Sequence, residues 1–111
     1  MLAKAPGATP DLNNHAVTLR ALGRRDEATR HLERARALNP DDPDINHNLG
    51  NALGDAGRDE DAILAYRRSL AARPGATRTS IQLAATLQRL RRQAEALGVT
   101  SDALAVAPAA A

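Results

Sequence analysis

The chain has 111 residues, 43% of them hydrophobic and 25% charged, which fits one globular domain with a modest core and excludes a disordered chain. The net charge is only +2, and the pI of about 9.9 reflects the high pKa of arginine; with no basic run among stacking aromatics, nucleic acid is not an expected partner. The chain contains no cysteine, which excludes disulfides and thiolate catalysis and is compatible with a reducing cytoplasm, the expected location.

In chain order, the opening "MLAKAPGATPD" lacks the apolar core of a signal peptide, and no later stretch approaches the ~20 apolar residues of a membrane span. No membrane partner is expected. Alanine and leucine dominate the apolar residues, and Tyr66 is the only aromatic, a mix that favours helices over strands. Pro6, Pro40, Pro74 and Pro108 then set a step of 34 residues. The same step carries small residues (Ala16, Gly50, Ala84; Ala28, Ala62, Ala96; Ala35, Ser69, Ala103) and leucines (Leu19, Leu53, Leu87). Leu49 and Leu83 share a column in which His15 is the odd member. Gly23 and Gly57 share a turn column that holds Arg91 in the third copy.

Each copy reads as two helices. The first runs from about Pro10, Pro43 or Arg78 to about Leu22, Ala56 or Leu90. Thr9 or Asp42 serves as N-cap, with Pro10 or Pro43 pre-set for the first helical residue. Gly23 and Gly57 supply the left-handed residue that ends it. The second helix opens on acids suited to a helix N-terminus, Asp26-Glu27 and Asp59-Glu60-Asp61, and stops before the next proline.

A helix–turn–helix unit with these columns resembles the tetratricopeptide repeat family. Leu49-Gly50, Leu53, Gly57, Ala62, Tyr66, Leu70 and Pro74 of the middle copy carry the likeness best. The resemblance implies an all-α solenoid of three helix–turn–helix repeats, at 9–42, 43–76 and 77–111, preceded at 1–8 by the tail of an incomplete repeat. The final helix, Gln93 to Ala107, presents Ala94, Leu97, Val99, Leu104 and Val106 with no polar capping helix after it. This suggests a segment of a longer array or a unit that pairs end to end.

In that family the first helices line a concave groove that holds extended peptides. By resemblance the lining takes Pro10, Asn13, Asn14 and Val17 from the first copy. The second contributes Asp44, His47, Asn48, Asn51 and Asp55, and the third Arg78, Ile81, Gln82, Ala85 and Arg89. One column reads Asn14, Asn48, Gln82, a carboxamide in every copy. An amide both donates and accepts, so a row of them holds a peptide backbone without reading its sequence. Such a ladder, and the phrase "NLGNAL", is similar to the repeats of O-linked N-acetylglucosamine transferases and their bacterial relatives.

Another mode of the family, the carboxylate clamp of Hsp90 and Hsp70 co-chaperones, would fall on Asn13, Val17, Asn48, Arg78 and Gln82. Only Asn48 matches it outright, and Arg78 keeps the charge. The glycines of "NLGNALGDAG" read as packing and turn residues, with Gly54 keeping the groove open, whereas Asn48 and Asn51 have no packing duty that the period explains.

His15, His31 and His47 belong to three different helices without metal-ligand spacing, so no metal or cofactor is expected, and His15 reads as a packing residue. Arg24, Arg25, Arg30, Arg34, Arg36, Arg67 and Arg68 fall on or near second helices, as a solvated convex face. No nucleophile elbow or triad sequence is present, so catalysis by this chain is not expected. The expected function is a protein-interaction module for an extended peptide or partner protein. Two further readings are a substrate-presenting segment of a larger enzyme, such as a glycosyltransferase, and a self-assembling homo-oligomer using its uncapped ends.

Overall fold

A computed structural model describes residues 8–106. Six α-helices follow one another: α1 (Ala8–Ala21), α2 (Arg25–Leu38), α3 (Pro43–Asp55), α4 (Asp59–Ala72), α5 (Thr77–Arg89) and α6 (Gln93–Val106). Each odd helix packs on the even helix after it, and each even helix on the next odd one. The odd helices also approach closely in turn, α1 with α3 and α3 with α5, whereas the backbones of the even ones stay apart among the described residues. The stack therefore curves, with α1, α3 and α5 forming the inner wall. The incomplete repeat expected at 1–8 lies almost wholly outside the described residues, as do Pro6 and Pro108.

Asp42 caps α3 as its position implied, accepting from the Asp44 and Ile45 N–H groups at 2.8 and 3.1 Å, with Pro43 at the first helical position. α1 already includes Ala8, so residue 9 falls within its first turn rather than at the N-cap position the sequence implied.

The three first helices end in the same way. Gly23 and Gly57 take φ of 83° and 79°, and Arg91 takes 61°. In the middle turn Gly57 N–H donates to the Gly54 carbonyl at 3.0 Å and Arg58 N–H to the Leu53 carbonyl at 2.9 Å. Equivalent pairs close the other two turns, so that otherwise orphaned helix carbonyls are satisfied. The hydrogen-bonding pattern imposes the left-handed residue whether or not a glycine supplies it. Three arginines follow these turns, and each ion-pairs with an acid three residues on: Arg24–Glu27, Arg58–Asp61 and Arg92–Glu95. Arg92 also reaches Glu60, and Arg67 reaches Glu95, so the convex arginines are partly tied to acids rather than free in solvent.

The core is a continuous cluster that includes Ala16, Leu19, Leu32, Leu49, Leu53, Ala62, Tyr66, Leu83 and Leu87. It follows the sequence columns, with Ala84 and Ala103 only half-buried and one clear exception. His15 is exposed, because no described element covers α1 on that side, and its ring stands edge-on to His31 at a centroid distance of 4.9 Å. The small column has a direct cause at Gly50, where a Cβ would lie 2.5 Å from the Tyr66 ring.

Candidate functional site

The inner wall holds the sequence candidates. A concavity of about 310 Å³ is lined by Arg20, His47, Asn51, Arg78, Ile81 and Gln82. A second, of about 220 Å³, shares His47 and Arg78 with it and adds Asp44, Arg73 and Thr79. His47, Asn51, Arg78 and Gln82 thus meet in one hollow, with Asp44 in its neighbour. Arg20 and Arg73 were not foreseen from sequence.

Beneath the groove runs a connected set of hydrogen bonds. The Tyr66 hydroxyl donates to Asn51 Oδ1 at 2.6 Å. Asn51 Nδ2 faces His47 Nε2 at 3.3 Å, and His47 Nδ1 faces Thr79 Oγ1 at 2.8 Å. Because the amide nitrogen is a donor, Nε2 accepts and Nδ1–H donates to Thr79. Thr79 is 3.4 Å from Ser69 Oγ, which donates to the Pro43 carbonyl at 2.8 Å. All the donors therefore point one way along the chain from Tyr66 to Pro43. Asn51 has a structural duty the repeat did not reveal: both ends of its amide are engaged.

Burial, and next the positive charge of Arg78, lower the His47 pKa below its usual value. Burial also pushes the Tyr66 hydroxyl up to about 12. Both groups are thereby held neutral, the form this chain of bonds requires.

Asp44 and Asp55 precede Arg78 and Arg89 along the groove, yet side-chain pairing leaves little acidic-to-basic gradient. Arg20 bonds Asp55, Arg73 bonds Asp44 at 3.1 Å, and Arg89 bonds Asp59 at 2.7 Å. Arg78 has no acidic partner among the described residues. Exposed pairs of this kind contribute little to stability, but they decide which charge the groove offers a partner.

The carboxamide column is also altered by its surroundings. Asn48 Nδ2 donates to Asn13 Oδ1 at 2.9 Å, one residue away from its column mate Asn14. Asn14 and Gln82 are exposed, as are Val17 and Ile81, which give the wall two apolar points. Gly54 leaves room beside the Arg89 guanidinium, which a Cβ would meet at 3.8 Å.

No cluster of three or more His, Cys, Asp or Glu able to hold a metal occurs among the described residues. No helix among them is long and apolar enough to cross a membrane.

A family model described as tetratricopeptide repeat matches residues 13–77, more than half of the chain. A search of curated proteins finds no match. Among solved structures, a MamA mutant superposes with a TM-score of 0.79 at 26% identity, over 91% of this chain and 74% of that one. A crystal structure of MamA gives 0.83 at 23% identity, over 87% of this chain and 57% of that one, so the chain spans little more than half of its length. The second tetratricopeptide domain of Spaghetti (RPAP3), bound to the HSP90 peptide SRMEEVD, gives 0.82 at 12% identity over 89% and 92%. The last two likenesses are of fold alone. With the repeat columns, the curved stack of helix pairs and the matching family model, the chain belongs to the tetratricopeptide repeat family.

Proposed function

We propose that the inner wall of α1, α3 and α5 binds an extended segment of a partner protein. Amides of Asn13, Asn14, Asn48 and Gln82 would meet the peptide backbone, and Arg78 an acidic group of the ligand. The observation that carries this reading is the hollow where His47, Asn51, Arg78, Ile81 and Gln82 converge. Its floor is cross-linked by the Tyr66–Asn51–His47–Thr79 bonds, so little protein order has to be acquired on binding. Asn51 and His47 shape the floor, Asp44, Asp55 and Arg89 are neutralised rims, and Arg78 supplies charge.

The chain then acts by binding rather than catalysis, in the cytoplasm, and requires neither metal nor cofactor. The resemblance of "NLGNAL" to glycosyltransferase and bacterial repeats supports a second reading, in which this segment presents substrate to a catalytic unit elsewhere.

An array of short peptides of varied charge would identify a binder. Its affinity is then measured for the wild type and for Asn14→Ala, Asn48→Ala, Gln82→Ala and Arg78→Ala. We expect the amide variants to weaken binding of peptides of differing sequence about equally. Arg78→Ala should weaken only acidic ones, by roughly tenfold for one lost charge-assisted bond. Unchanged affinity across all four variants, with helicity intact, would remove this groove from the mechanism.

A further inference from the structure

The two ends of the stack are chemically unlike. On α1 the side that would meet a preceding repeat carries Asp11, His15 and Thr18, all exposed. One and two periods later the same positions hold Ile45, Leu49 and Ala52, then Thr79, Leu83 and Thr86, all buried against the preceding helices. At the other end, Leu97 and Leu104 of α6 are 69% and 73% exposed, and Ile81 of α5 is 58% exposed. Ile63, one period before Leu97, is only 2% exposed in α4, against which α5 packs. Apart from Leu22, 66% exposed in the turn after α1, the first end is polar, whereas the last is apolar.

We propose that the α5–α6 face pairs with the same face of a second copy, tail to tail, in a closed two-fold dimer. Head-to-tail stacking, the other way for copies to meet, would bury the Asp11 carboxylate and the His15 ring against Leu97 and Leu104, a desolvation with no partner in view. Isologous pairing leaves both polar ends in water and closes the assembly at two.

The α6 sequence suits this contact. Gln93, Leu97, Thr100 and Leu104 fall at spacings of four, three and four, the seam of a paired helix. No charged residue occupies it, so two copies bring no like charges together. A two-fold axis beside Thr100 and Ser101 sets Leu97 against Leu104 of the partner subunit. It also runs the two helices antiparallel, with favourably opposed dipoles. A dimple of about 180 Å³ between Ile81, Thr100 and Leu104 can receive an apolar side chain. Two helices, each ~20 Å long and ~10 Å across, provide a contact near the lower bound of about 1,000 Å² for specific interfaces. Association is therefore expected at micromolar rather than nanomolar concentration. Ile81 borders the groove as well, but the contact rests on Leu97 and Leu104 of α6, which lie outside it.

Sedimentation of the full chain from low to high micromolar concentration should give a mass that rises and saturates at twice the monomer. Leu97→Glu with Leu104→Glu should keep it monomeric throughout with unchanged helicity, since both side chains are exposed in the single chain. The natural chain has no thiol, so Ser101→Cys adds a unique one beside the axis. Under mild oxidation it should form a covalent dimer several times faster than Asp11→Cys. A strict monomer would overturn the proposal and assign the face to a different occupant. So would a mass that grows without limit, a dimer indifferent to the two glutamates, or equal cross-linking of the two cysteines.

Discussion

Gly50 of α3 and Tyr66 of α4 are a fitted pair: the ring occupies the space where a side chain at residue 50 would be, with Cε1 2.5 Å from an added Cβ. The ring cannot move aside cheaply, because its hydroxyl is tied to Asn51. Gly50→Ala is therefore expected to destabilise the chain by about 1–3 kcal/mol, the usual cost of overpacking, despite alanine's better helix propensity. The same columns hold Ala16 with Leu32, and Ala84 with Thr100. Tyr66→Leu costs stability of its own, because Asn51 loses its hydroxyl donor, but in that background Gly50→Ala should cost much less than in the wild type, and a double-mutant cycle by urea unfolding measures the coupling. Additive effects would mean that the clash does not govern the column.

Acid should weaken this fold through His47. Its folded pKa is lowered by burial and by Arg78, with Arg20 acting in the same sense and Asp44 opposing. The unfolded chain therefore takes up a proton near the ordinary histidine value of about 6.5 while the folded chain resists it. Where the unfolded state binds more protons, stability rises with pH. The His47 contribution is fully present above about pH 6.5 and is lost as pH falls through the lower folded value. Protonation would also set Nε2–H against the Asn51 amide nitrogen, donor against donor. Urea unfolding at neutral and mildly acidic pH should show that His47→Gln flattens this part of the profile; an unchanged slope would exclude His47 as its source.

Arg91 holds a positive φ of 61°, which costs a residue with a Cβ about 1–2 kcal/mol. Its backbone N–H still closes the turn onto the Gln88 carbonyl at 2.9 Å. Replacing it with glycine relieves that strain, partly offset by a looser unfolded chain. Arg91→Gly should stabilise by about 0.5–1 kcal/mol, whereas Gly57→Ala should destabilise by a similar amount. Thermal unfolding of both variants checks the pair of opposite signs.

What repeats at a fixed step was legible in the sequence: the leucine columns, the glycine turns and the small column that receives Tyr66. The contacts between repeats were not. Arg20–Asp55 and Asn13–Asn48 join residues 35 apart, and Arg89–Asp59 residues 30 apart. Each misses the 34-residue column, because successive helix pairs are rotated against one another. The Tyr66–Asn51 bond was hidden for a different reason. It exists in one copy only, since the other two have Leu32 and Thr100 in place of the tyrosine. By contrast, Arg24, Arg58 and Arg92 with their acids do repeat in step, and the same self-comparison would have picked them out.

The one-way run of donors under the groove has a consequence for how such a surface can diverge. The Tyr66 hydroxyl donates to Asn51 Oδ1, which turns the amide nitrogen toward His47 Nε2, and His47 Nδ1–H donates to Thr79, whose own hydroxyl hydrogen is left for Ser69. A replacement that removes or reverses the donor or acceptor a member supplies leaves a neighbour unpaired, however conservative it is in size. Variation in ligand preference should therefore accumulate at Arg78, Ile81 and Gln82, which stand outside the run, while residues 47, 51, 66 and 79 should change mainly in ways that keep each donor and acceptor in place.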